Sequence, residues 1–159
     1  MTDGAHTGAM VALFPAPSEA EALAAAGTES SEQIHLTLVY LGKAADFDEA
    51  QRAAIEDAVA AVAAKHAPLS GKVGGSGSFQ PGDDGTPVIA LVDVIGLTGL
   101  RTALMDALEP SIVEDGSVVA DLKHGFSPHI TLGYVQGDAA PPVLDEGPLT
   151  FAAISVVWA

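Results

Sequence analysis

Two short phrases place a histidine two residues before a threonine inside an otherwise apolar run: IHLTLVYLG at 34–42 and PHITLGYV at 128–135. Aligned, they share the pattern H-[LI]-T-L-x-Y-[LV], with His35 and Thr37 in the first copy and His129 and Thr131 in the second. The chain holds nine threonines and five histidines. The chance that two of those histidines carry Thr at this spacing is roughly 3 in 100, before Leu and Tyr are also required. One neutral imidazole can take a proton from an attacking hydroxyl or water while a second, protonated, gives one to a leaving oxygen. Threonine hydroxyls can donate hydrogen bonds to non-bridging phosphate oxygens. This is phosphodiester chemistry, and the scheme requires neither a metal nor a cofactor.

Such a set works only if the fold brings the two halves together. Alternation along a strand sends His35 and Thr37 to one face and Leu36, Leu38 and Tyr40 to the other; the second copy separates His129 and Thr131 from Ile130, Leu132 and Tyr134 in the same way. Both tyrosines are therefore expected in the core with their hydroxyls at the rim. A lone histidine on a half-buried strand reads most simply as a structural residue, but two matched copies favour function. If two lobes pair about a pseudo-twofold axis, both imidazoles and both hydroxyls converge on one cleft.

The intervening sequence supplies the positioning elements. GAMVALFPAP reads as a strand stopped by Pro15 and Pro17. In SEAEALAAAG, Ser18 as N-cap, Glu21 as capping-box partner and Gly27 as stop predict a short helix. A strand over 33–41 and a long amphipathic helix ending before Pro68 follow, then an edge-like strand running into a Gly/Pro/Asp loop, and a strand over 88–94. Leu97, Leu100, Leu104 and Leu108 predict a helix stopping at Pro110. Residues 111–126 read as loop, SPHITLGYV as a strand, and LTFAAISVVW as one closing strand. The order predicts an α+β domain with helices packed outside antiparallel sheet. Residues 1–7 are expected to form a loose tail and 8–159 a single bilobal domain.

Composition bounds the function. Twenty-one acidic residues against six basic ones give a formal charge of −15, which repels a polyanion and argues against any long nucleic acid partner. A small anionic ligand held locally remains compatible. The absence of cysteine excludes disulfides, thiolate zinc sites and a cysteine nucleophile. No export signal and no membrane-length apolar run is present, so a soluble, unexported, cytoplasmic protein is expected, with no membrane partner. A monomer is expected.

Other motifs are weaker. GGSGS lacks the Gly-Lys-Ser/Thr of a phosphate-binding loop, no G-x-S-x-G marks a serine nucleophile, and DFDE and GDDG do not extend into a calcium loop. His66 suits the end of a helix, His6 lies in the tail, and His124 with His129 spans a proline in poor metal-binding geometry. No metal site is expected. Three further residues are candidate substrate contacts. Lys43, just past the first motif, could meet an anion, against its reading as a solvated loop charge. Phe126 could stack on a base, or anchor its loop. Ser127, two before His129, could line the cleft, or serve the turn before Pro128.

H-x-T twice, 94 positions apart, resembles the signature of the 2H phosphoesterase superfamily, which includes RNA 2′-5′ ligase-like proteins and cyclic nucleotide phosphodiesterases. The similarity extends to MVALFP, LSGKVGGSGSFQPG, PVIALVDV, LRTALMDAL and FSPHITL, and covers roughly 8–158; in wording it is most similar to actinobacterial and phage-borne members. The resemblance implies a bilobal 2H phosphoesterase (ligase-like) fold, two pseudo-symmetric antiparallel sheets lining a cleft with helices outside. It also implies catalytic roles for His35, Thr37, His129 and Thr131. The expected function is metal-independent hydrolysis of a small cyclic or 2′-linked nucleotide, in the host cytoplasm if the chain is a phage anti-defence enzyme. The alternatives are a module of the same fold that sequesters a nucleotide unchanged, and a virion or assembly factor. One departure weakens binding of RNA ends: the arginines, Arg52 and Arg101, fall on predicted helices and not beside the second motif.

Overall fold

A computed structural model describes residues 8–66, 68–83, 85–114, 117–118, 127–136 and 142–158. Strand β1 (Ala9–Leu13) is buried along its whole length and gives way to α1 (Pro17–Ala25). The predicted Ser18 cap is not used. Ala16 is the N-cap and Pro17 opens the helix, its φ already helical and its missing N–H costing nothing there. A 3-10 turn (Ser31–Gln33) leads to β2 (Leu36–Gly42), so the predicted strand begins three residues later than 33. Helix α2 (Glu49–His66) starts on a reciprocal cap: Asp48 Oδ1 accepts from Gln51 N and Gln51 Oε1 from Asp48 N, both at 2.8 Å.

Strands β3 (Leu69–Ser78) and β4 (Thr86–Val94) form a hairpin, followed by α3 (Leu97–Ile112). This helix runs two residues past its predicted stop. Pro110 removes one backbone bond in the last turn, and the burial of Leu100, Leu104 and Leu108, all 0% exposed, outweighs that loss. The predicted loop begins with a two-residue hairpin, β5 (Val113–Glu114) and β6 (Ser117–Val118). Strand β7 (His129–Val135) carries the second motif.

The single closing strand expected over LTFAAISVVW is two strands. Strand β8 (Pro148–Phe151) pairs with β3, and β9 (Ile154–Trp158) with β1, at opposite edges of one antiparallel seven-stranded sheet in the order β8-β3-β4-β7-β2-β1-β9. In a flat sheet those edges would stand about 29 Å apart. The Ala152–Ala153 link allows only about 11 Å between Phe151 and Ile154, so the sheet must curl. A run of ten residues shows no such jump in its own periodicity, because both pieces are apolar.

The sheet has two parts. Strands β9-β1-β2 and β7-β4-β3-β8 meet at one backbone pair, Leu36 opposite Ile130. The two expected sheets are thus the halves of a single one, joined at this narrow seam. Leu36 and Ile130 are both 0% exposed and belong to a core that takes Ala20 and Leu23 from α1, Ile55 and Val59 from α2, and the leucines of α3.

Candidate functional site

The seam determines where the two motifs lie. An antiparallel register centred on Leu36 and Ile130 sets His35 across from Thr131 and Thr37 across from His129, with all four side chains on the face opposite the core pair. His35 immediately precedes β2 and Thr37 lies at its start, while His129 and Thr131 come from the start of β7.

Past the threonines, both strands bulge at the same place. In β2, Thr37 faces Ala12 and Val39 faces Val11, so Leu38 has no partner in β1. In β7, Thr131 faces Ile89 and Gly133 faces Val88, so Leu132 has no partner in β4. Each bulged leucine keeps its side chain in the core, and its carbonyl is taken from outside the sheet. Leu38 O accepts from Arg101 Nε at 3.0 Å; Leu132 O accepts from Thr28 N and Glu29 N at 2.9 and 3.0 Å. Gly133 turns inward against Thr28, where a Cβ would collide with its hydroxyl.

The bulges overturn the expectation for the tyrosines. One extra residue reverses the alternation beyond it, so Val39 and Leu41 are buried and Tyr40 is 41% exposed. Tyr134 is likewise half-buried, and not in the core. Tyr40 pairs with Met10, and Met10 Sδ accepts from Thr37 Oγ1 at 3.6 Å, which puts Tyr40 on the face of Thr37. Strict period-two reading misses this.

The two imidazoles are held alike. His35 Nδ1 lies 2.6 Å from Gln33 O and His129 Nδ1 2.6 Å from Ser127 O, each a backbone carbonyl two residues upstream. A carbonyl only accepts, so Nδ1 carries the proton in both neutral rings and Nε2 carries the lone pair. Burial pushes the pKa of His129 below the ordinary 6.5, with the Ser127 carbonyl pulling partly the other way. Each ring also meets a phenylalanine. Phe14 lies 5.8 Å from His35, and Phe79 stands edge-on to His129 at 4.6 Å. Gln33 and Ser127 act through backbone atoms, which no residue type advertises. The phenylalanines are contiguous in space with the motifs and remote from them in sequence.

The remaining candidates divide. Ser127 is exposed and supplies its carbonyl to His129. Lys43 is exposed and sits at the far end of β2 from His35, on the order of 25 Å along the strand; the structure does not bring it beside the motifs. Phe126 lies outside the described residues, as do Lys123 and His124. Arg52 is occupied structurally: its guanidinium donates to Phe47 O and Ala44 O at 3.2 and 2.7 Å and covers the Trp158 ring at 4.9 Å. Among the described residues, no cluster of three His, Asp or Glu side chains is disposed to hold a metal ion, and no helix is long and apolar enough to cross a membrane.

A curled antiparallel sheet bearing two His-x-Thr strands at its seam defines a class, and the sequence agrees. Residues 15–153 match the model of the 2'-5' RNA ligase superfamily, and the chain belongs to that family. Its α+β fold is that of the 2H phosphoesterases. The protein TT0787 of Thermus thermophilus is similar with a TM-score of 0.69 and 22% identity, over 94% of this chain and 83% of that one. A protein solved as a phosphoesterase gives 0.67 at 15% identity over 94% and 86%, and E. coli LigT complexed with 3'-AMP gives 0.61 at 14% identity over 95% and 94%. No curated protein matches the sequence.

Proposed function

We propose that the protein hydrolyses a phosphodiester of a small cyclic or 2′-linked nucleotide, using His35 and His129 as the proton-transferring pair. The observation that carries this reading is the repeated imidazole geometry: two histidines across one seam, each with Nδ1 on the carbonyl two residues upstream. With Nδ1 fixed, each Nε2 is the nitrogen that exchanges a proton with substrate.

In one assignment His129, whose neutral form burial favours, is the base and His35, also buried, is the acid; the same geometry serves the reverse assignment. His129 Nε2 removes a proton from water as the water oxygen bonds to phosphorus. The P–O bond to the leaving ribose oxygen breaks, and His35, protonated at Nε2, delivers a proton to that oxygen. A phosphomonoester results, and proton exchange with solvent restores both rings. Thr37 and Thr131 donate to the non-bridging oxygens, where negative charge grows in the transition state. In the free protein Thr37 donates to a thioether, a weak acceptor that gives up the hydroxyl readily. The solved LigT complex, of the same fold, contains 3'-AMP, a nucleoside monophosphate of the kind that opening a 2′,3′-cyclic phosphate releases.

Incubation with a panel of nucleoside 2′,3′-cyclic phosphates, 3′,5′-cyclic nucleotides and 2′-5′ dinucleotides should yield phosphomonoester from at least one. Undiminished turnover by the His35→Ala, His129→Ala double variant would sink the assignment. Tight binding with recovery of the intact nucleotide would instead mark a sequestering module.

A further inference from the structure

On the face of the motifs, the pairings match the two halves residue by residue. Ala12 stands across from Thr37 and Ile89 across from Thr131; Met10 stands across from Tyr40 and Pro87 across from Tyr134. One strand further out, Ser155 pairs with Ala12 and Val157 with Met10 in the first half. In the second, Gly77 pairs with Ile89, and Phe79 N donates to Pro87 O at 3.1 Å just past the pair of Ser78 with Val88. Cross-strand partners share a face, so Phe79 occupies the place that Val157 holds in the other half. The neighbours of the histidines correspond as well. Leu91 pairs with His129, and Phe14, the first residue past β1, meets His35.

The contact of Phe79 with His129 breaks this match. Strand β4 lies between β3 and β7, so a ring that starts on β3 and stands 4.6 Å from His129 must lean over β4. Ile89, on β4 between them, is buried although it stands apart from the main core. A valine side chain cannot span the two strand spacings, about 10 Å, from β9 to β2, and Val157 cannot do the same for His35.

The leaning ring constrains what the hydrogen bond of His129 leaves free. Rotation of an imidazole about its Cβ–Cγ bond has broad minima, and the contact of Nδ1 with Ser127 O at 2.6 Å fixes one corner of the ring. The planes of Phe79 and His129 meet at 86°, the edge-to-face arrangement that aromatic pairs prefer, and a tilt of the imidazole about that corner would spoil it. Phe79 also withholds water, in line with burial as the main cause of the lowered His129 pKa. The titratable groups that alternation and the bulges place on this face of the described strands are His35, Tyr40, Tyr134, Asp93 and Lys72; none of them is a cause of that shift.

We propose that Phe79 is a positioning residue for His129: its ring, leaning across β4, holds the plane of the imidazole and covers it from water, so that Nε2 stays aimed at the substrate. This rests on the reading of His129 as one of the proton-transferring pair and names the residue that acts through it.

The test is an NMR titration of both rings in Phe79→Val, which gives the second half the residue of the first. His129 should titrate closer to the ordinary 6.5 in this variant, and His35 should titrate as in the wild type. Movement of neither ring, or of both together, overturns the proposal. Phe79→Tyr keeps the ring and should return His129 to its wild-type titration; a tyrosine variant that behaves as the valine one also overturns it. Phe79 is 41% exposed, and the tyrosine variant guards against a fold lost with the ring. On a phosphodiester from the panel, Phe79→Val should lower kcat about tenfold, as a displaced proton-transferring group would, with KM changed less than about twofold. A rise in KM alone would make Phe79 a binding contact and overturn the positioning role. The titrations need no turnover, so they decide the role of Phe79 even if no phosphodiester is cleaved, and their failure leaves the proposed hydrolysis intact.

Discussion

At the scale of single residues, the four His and Thr side chains follow from type and spacing, and their roles can be separated by substitution. His35→Ala and His129→Ala should each lower kcat by about 10²–10⁴, as expected for loss of a proton-transferring group, measured on whichever phosphodiester the panel identifies. Thr131→Val keeps the shape and loses the hydroxyl; kcat/KM should fall about 10–100-fold with an unchanged melting temperature. The His129 shift also links stability to pH. Its folded pKa is lowered by burial, so as pH falls the unfolded chain takes up the proton first. The stabilisation is complete above the unfolded value of about 6.5 and is lost as pH falls through the folded value. Urea midpoints at about pH 7.5 and about pH 5.5 should therefore differ more for wild type than for His129→Asn. Activity should follow a bell-shaped pH profile, rising as the base loses its proton and falling as the acid does, and an NMR titration of the His129 ring places its depressed pKa directly.

At the scale of elements, the doubled phrase proves to be a doubled device: strand, bulge at the leucine after Thr, and an outside donor for the freed carbonyl. Its sequence pattern is legible, but the bulge is not, because Leu38 and Val39 are equally apolar and nothing in their order says that both face inward. Tyr40 is misplaced by alternation for that reason. The second bulge leaves a sharper trace, since Gly133 stands where Thr28 admits no Cβ. Gly133→Ala should destabilise the protein by about 1–3 kcal/mol through overpacking, read from chemical denaturation; a neutral effect would mean that the Thr28 segment is free to move aside. The same reading of α1 misses its cap, because Pro17 starts the helix without help from a side chain.

At the scale of the whole molecule, the charge of −15 argues for a small ligand. Filter binding should detect no complex with long RNA at physiological salt, where a protein with so few cations releases few counterions. Raising ionic strength from about 10 mM to about 200 mM should raise the melting temperature by screening self-repulsion. Composition, helices, most strands and the doubled motif could be read from the sequence, because amphipathic periodicity and side-chain chemistry are local properties. The join between halves could not. One backbone pair, Leu36 with Ile130, lays His35 across from Thr131 and Thr37 across from His129, and two residues of link send β8 and β9 to opposite edges and curl the sheet. Both depend on pairings between segments far apart in the chain, whose apolar faces are satisfied by many partners. Only the packed structure selects among them, since every strand must be buried at once while the short link from β8 to β9 is spanned.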